Sequence, residues 1–163
     1  MELIPVKESL EENEEFADNP LCQEATYMTI EFYKKIGFVY PWIGYFVKQY
    51  GKWVGSGGFK GKPINGVIEI AYGVFEPYRK QGIGTGICKE LLDLAIRTDP
   101  GIRIIARTLV EENFSGRILK KNNFRFAGLV NDPEDGTVCE WVFKGNENTK
   151  NHSGFVQREN QEK

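Results

Sequence analysis

The stretch Arg79-Lys80-Gln81-Gly82-Ile83-Gly84-Thr85 decides how this chain is read. An extended apolar run, Val67 to Phe75, precedes it. An amphipathic segment from Gly84 to about Arg97 follows, with Ile83, Ile87, Leu91 and Leu94 on one helical face. A strand that turns through glycines into a helix leaves the first N–H groups of that helix without carbonyl partners. Those donors and the positive end of the helix dipole form an anion site. Gly82 and Gly84 place no Cβ in the way of a phosphate, and Arg79 and Lys80 add positive charge beside it. The expected ligand is a pyrophosphate, held by the amides of Gln81, Gly82, Ile83, Gly84 and Thr85.

Two common glycine motifs are excluded by spacing. A P-loop carries Lys and then Ser or Thr after its second glycine, whereas Gly84 is followed by Thr85-Gly86. A dinucleotide fingerprint has a third glycine where this chain has Ile87. It also needs an acidic residue at a strand end about 20 residues on, and Asp99 instead sits in a Thr-Asp-Pro-Gly turn. What remains, Arg-x-x-Gly-x-Gly between strand and helix, resembles the coenzyme A pyrophosphate loop of the GNAT acyltransferase superfamily. The alternative is a purely structural strand-to-helix turn.

Downstream, the apolar strand Ile102 to Leu109 is followed by Glu111-Glu112-Asn113-Phe114-Ser115-Gly116-Arg117-Ile118-Leu119-Lys120-Lys121-Asn122-Asn123-Phe124. This segment resembles the Asn…Ser…Leu-x-Lys-x-Gly-Phe pattern of the GNAT subgroup of ribosomal-protein and protein N-terminal alanine or serine acetyltransferases. The resemblance extends upstream through Pro41-Trp42-Ile43-Gly44-Tyr45 and Gly66-Val67-Ile68-Glu69-Ile70-Ala71-Tyr72. Asn123 stands for the family glycine, and asparagine tolerates the left-handed backbone of a helix cap. Asn113 falls one residue later than the family asparagine.

The bulk properties of the 163 residues fit one globular domain, residues 1–144, with a polar tail from 145 to 163. Hydrophobic residues make up 40% and aromatics 13%, enough for one sizeable core. A net charge of −2 without a basic patch argues against a nucleic-acid partner. Neither a signal peptide nor an apolar run of membrane-spanning length is present, so a cytoplasmic protein without a membrane partner is expected. Cys22, Cys88 and Cys139 are odd in number and scattered, which speaks against disulfides and a metal site. The single histidine, His152, lies in the tail, so a histidine base is not expected.

Strands are expected over Met1–Val6, Trp42–Gln49, Lys52–Lys60, Val67–Phe75, Ile102–Leu109, Arg125–Val130 and Thr137–Lys144. Helices are expected over Ser9–Ala17, Leu21–Ile36, Gly84–Arg97 and Phe114–Asn122. The fold class is therefore α/β, with an α+β mixed sheet and helices on both faces. The resemblance makes this a GNAT-like acyl-CoA acyltransferase fold of about seven strands in a largely antiparallel sheet.

The resemblance implies an acetyl-CoA-dependent N-acetyltransferase that transfers acetyl directly to a primary amine, either a protein N-terminus or a small amine. Val74 would hydrogen-bond the pantetheine arm, Asn113 would assist the cofactor, and Ser115 would lie near the coenzyme sulfur; Ser115 can equally be a helix cap. Leu119 occupies the place where many relatives carry a tyrosine acid. Independently, period-2 alternation puts Glu69, Ala71 and Gly73 on one strand face. A carboxylate in such an apolar strand needs a wet cleft or a partner, which makes Glu69 the candidate general base or a ligand of the hairpin loop. Tyr40, Trp42 and Tyr45 can wall an acceptor pocket or pack in the core. A non-catalytic acyl-CoA-binding sensor module is the alternative function, and the assembly is a monomer or homodimer.

Overall fold

A computed structural model describes residues 1–111 and 114–145; Glu112, Asn113 and residues from 146 onward lie outside the described part. The strands are β1 (Glu2–Pro5), β2 (Gly44–Gln49), β3 (Lys52–Phe59), β4 (Val67–Val74), β5 (Arg103–Leu109), β6 (Phe124–Asp132) and β7 (Gly136–Phe143). The α-helices are α1 (Glu14–Ala17), α2 (Pro20–Ile36), α3 (Ile83–Thr98) and α4 (Phe114–Lys121). The strands form a seven-stranded sheet in the order β1-β2-β3-β4-β5-β7-β6. Every recorded strand pairing is antiparallel except β4 with β5. The α/β class, the mixed sheet and the seven strands read from the sequence are all present.

The chain divides into two compact units, Met1–Ala106 and one from Arg107 onward. In the first unit the β2–β3 hairpin turns at Tyr50 (φ 50°) and Gly51 (φ 74°), a two-residue loop of positive φ that suits the strand twist. Asn19 caps α2 by accepting from the Leu21 amide at 2.9 Å, and Pro20 opens the helix. The expected helix over Ser9–Ala17 is broken. Ser9 and Glu12 do form a reciprocal capping pair, but the turn that follows is 3₁₀ and ends at Asn13. The buried Asn13 side chain bonds the Lys7 amide and the carbonyls of Lys7 and Ser9, so the backbone gives up helix there. Phe16 then packs on Phe46 and Trp53, with ring centroids 4.6 and 5.0 Å apart.

The other face of this unit carries α3. Its buried residues are Ile83, Gly84, Ile87, Cys88, Leu91, Leu92 and Ala95. Leu94, expected on the apolar face, is only half-buried, because the seam drifts to Ala95 along a 3.6-residue helix. A Cβ at Gly57 would lie 2.9 Å from Ile87 Cγ2 and 3.0 Å from Leu91 Cδ1, so the bare backbone of β3 lets α3 settle close. In the second unit Trp141 closes the core. Its Nε1 donates to Thr108 Oγ1 at 3.0 Å, and a Cβ on Gly116 of α4 would come within 3.1 Å of its ring. Asn123 ends α4 at φ 66°, the left-handed cap expected of it.

Candidate active site

The alternation along β4 is as read: Ile68 and Ile70 are buried, while Ala71 and Gly73 are exposed on the face that carries Glu69. A Cβ built on Gly73 would meet nothing within 4 Å. The parallel ladder with β5 runs from Val67↔Arg103 to Ile70↔Ala106, yet β4 continues four residues further, to Val74. Among the described residues of this unit, the backbone of β4 from Ala71 to Val74 therefore has recorded pairing on its β3 side only. Such an edge offers strand-type hydrogen bonds to an extended ligand.

Beyond Val74 the chain makes a single 3₁₀ turn, Glu76–Tyr78, and then two left-handed steps at Lys80 (φ 65°) and Gly82 (φ 77°). Gly82 is the N-cap of α3 and supplies no side-chain cap. The helix starts at Ile83, one residue earlier than expected, and its first bond runs from the Gly86 amide to the Gly82 carbonyl at 3.3 Å. Among the described residues, the amides of Gln81, Gly82, Ile83 and Gly84 donate to no main-chain carbonyl. Gln81 and Gly82 are exposed, whereas Ile83 and Gly84 are buried, so the loop is anchored below and open above. These donors, at the positive end of a 16-residue helix, fit a diphosphate.

Arg79 does something the sequence did not suggest. Its Nε donates to the Val74 carbonyl at 3.3 Å, which ties the loop back to the end of β4. Val74 is the residue expected to hydrogen-bond a pantetheine arm, and its carbonyl here accepts the Arg79 bond. Lys80 is exposed. Thr85 follows Gly84 in the first turn of α3 and is half-buried.

Glu69 has its partner. Its Oε2 lies 2.7 Å from Lys60 Nζ, with the two side chains 14% and 37% exposed. The same residues are joined through the main chain, since the Lys60 amide donates to the Glu69 carbonyl at 2.9 Å. Lys60 is the site residue the sequence reading missed. The β3–β4 ladder, which runs to Phe59↔Ile70, continues by one step to set residue 60 against residue 69.

The aromatic trio separates. Tyr40 is 66% exposed, but Trp42 and Tyr45 are buried at 7% and 3%. Trp42 meets Phe59 edge-on at 5.1 Å, and the Tyr45 hydroxyl donates to the Pro41 carbonyl at 2.6 Å. Burial, and then the neighbouring Tyr40 and Tyr33, push the Tyr45 hydroxyl well above the ordinary phenol range. These two side chains pack the core of their unit, so of the three only Tyr40 is presented to solvent. In the second unit Ser115 is the second residue of α4 and half-buried. Asn113 lies outside the described residues. Among the described residues no cluster of His, Cys, Asp and Glu could hold a metal ion, and no helix is long and apolar enough to cross a membrane.

The sequence profile of the Acetyltransferase (GNAT) domain matches residues 1–125. No curated protein sequence matches the chain significantly. Among solved structures, a GNAT-family acetyltransferase from Bordetella pertussis superposes with a TM-score of 0.62 at 16% identity, covering 86% of this chain and 93% of that one. A Salmonella typhimurium acetyltransferase that modifies the N-terminal serine of the ribosomal protein L7/L12 gives 0.54 at 18% identity, covering 74% and 70%. An aminoglycoside acetyltransferase, AAC(6')-Ib, solved with coenzyme A, gives 0.55 at 20% identity over 61% of this chain. The match spans 64% of that enzyme, less than two thirds of its length. At these identities the likeness is one of fold. The profile is the stronger statement, because it runs from the first strand through the glycine turn and α4; the chain belongs to the GNAT family of acetyltransferases.

Proposed function

We propose that the protein is an acetyl-CoA-dependent N-acetyltransferase that acetylates a primary amine directly. The observation that carries this reading is the set of amides from Gln81 to Gly84 that donate to no main-chain carbonyl, opening α3 beyond the stretch of β4 that pairs with β3 alone. Those amides would hold the cofactor diphosphate, with Arg79 and Lys80 supplying charge, and the edge from Ala71 to Val74 would take the pantetheine arm. When bound, acetyl-CoA supplies an activated acetyl thioester. Glu69 would accept the proton that the acceptor ammonium must lose before its nitrogen can attack, directly or through one water. The new C–N bond forms as the C–S bond breaks. The second proton that the nitrogen sheds on attack would reach the departing sulfur through water, or through the Ser115 hydroxyl, which would give up its own proton and take this one. Holding both reactants makes the attack effectively unimolecular, which contributes much of the rate.

The acceptor class draws on relatives. The Salmonella enzyme modifies a protein N-terminal serine, and AAC(6')-Ib is an aminoglycoside acetyltransferase. The subgroup resemblance around Ser115 favours an α-amine of a protein or peptide. The Glu69–Lys60 ion pair supports a second reading, a non-catalytic acyl-CoA-binding module, because it gives the carboxylate a purely structural partner. Thiol release from acetyl-CoA across short peptides, polyamines, amino acids and aminoglycosides separates the two. Release with at least one amine is the expected result, and saturable cofactor binding without release from any of them would favour the module.

A further inference from the structure

We infer that Lys60 is a positioning residue for Glu69 in the proposed transfer, and this rests on the transferase reading above. Lys60 and Glu69 face each other from the end of β3 and the third residue of β4, with Nζ and Oε2 2.7 Å apart. The backbones of the two residues are already fixed. Their main-chain bond of 2.9 Å continues a ladder that runs from Gly55↔Val74 to Phe59↔Ile70. The strand pairing therefore does not need the side-chain pair. A partly exposed ion pair of this kind adds little to folding. Its larger consequence is geometric.

A glutamate on a strand has three side-chain torsions, and an unrestrained carboxylate there would sample several rotamers. A general base works only when held within hydrogen-bond reach of the proton it takes. Lys60 pins one carboxylate oxygen while its own ammonium stays 37% exposed. The next two residues on the same face of β4 are Ala71 and Gly73, both exposed, and nothing lies within 4 Å of a Cβ built on Gly73. The pinned carboxylate thus stands at the start of a lane of small residues that leads to Val74 and the glycine turn. Lysine acts here through Glu69 and has no step of its own.

The test uses the full chain with Lys60→Met, Lys60→Arg, Glu69→Gln and the Lys60→Met/Glu69→Gln double variant. Thiol release from acetyl-CoA is followed with the peptide Ser-Ala-Ala and with spermidine as probes, alongside calorimetric titration of coenzyme A and thermal unfolding. Lys60→Met is expected to lower kcat about tenfold while coenzyme A affinity stays within about twofold. Lys60→Arg recovers most of that loss, and adding Lys60→Met to Glu69→Gln costs nothing further, because contacting residues that act as a unit are not additive. Undiminished turnover in Lys60→Met overturns the positioning role. So does an equal loss in the Glu69→Gln background, or a parallel fall in thermal stability and cofactor affinity. A wild-type protein that binds coenzyme A but releases no thiol with these probes or with any other peptide, polyamine, amino acid or aminoglycoside of the wider panel overturns the transferase reading itself.

Discussion

At the scale of single residues, the proposed chemistry turns on one carboxylate and leaves the buried thiols out. Glu69 is the acidic side chain on β4, on the face it shares with Val67, Ala71 and Gly73. Glu69→Gln keeps its shape and removes its basicity, so kcat is expected to fall about 100-fold with coenzyme A affinity unchanged. Turnover equal to wild type in a steady-state assay would remove Glu69 from the reaction. Cys22 and Cys88 are buried, and burial pushes their thiols up to about 11 and about 12. The thiolate is the reactive form. Ellman's reagent at pH 8 should therefore label Cys139 alone in the native protein and Cys22 and Cys88 only after denaturation; rapid native labelling of all three would contradict the buried placement.

At the scale of elements, the strand–turn–helix passage from β4 to α3 was legible because its signals are local. Alternation is visible within Val67–Val74, the glycines mark the turn, and the apolar period of α3 is carried by Ile83, Ile87 and Leu91. The break of the first helix was not legible. Ser9-x-x-Glu12 is a sound local start signal, but Asn13 finds acceptors and a donor at Lys7 and Ser9 only once the chain has folded back. Nor was the fate of Trp42 and Tyr45, since the pattern at a strand start does not say which side is covered. One polar tie between α2 and the sheet runs through a hydroxyl. Tyr33 donates to the Val6 carbonyl at 2.7 Å and accepts from the Gly44 amide at 2.9 Å. Tyr33→Phe leaves both groups without that partner and should cost about 1–3 kcal/mol in urea denaturation, against no measurable change if water replaces the hydroxyl.

At the scale of the whole molecule, burial of weak acids sets the alkaline limit of stability. Cys22 and Cys88 have an ordinary value of 9.0 and Tyr33 one of 10.0, and burial raises them to about 11, 12 and 12 respectively. The unfolded chain releases these protons first, so it binds fewer than the native state in that window. Stability is full below about pH 9 and falls as pH rises toward 12. Urea midpoints at pH 8 and pH 10.5 should drop between the two, and Cys88→Ala should show a shallower drop; identical slopes would contradict this. Sequence alone could reach the sheet, its helices and the glycine turn before α3, since those rest on periodicity and on glycine. It could not reach the Lys60–Glu69 pair, which depends on how a six-residue loop closes, nor the Arg79 bond to Val74, which depends on where a long side chain turns. The central claim concerns the amides at the start of α3, and calorimetric titration with coenzyme A tests it most directly. Saturable one-to-one binding by the wild type, lost in Gly84→Val because a branched side chain fills the phosphate approach, is the predicted result. No heat of binding in the wild type, or equal affinity in the Gly84→Val variant, would contradict the account.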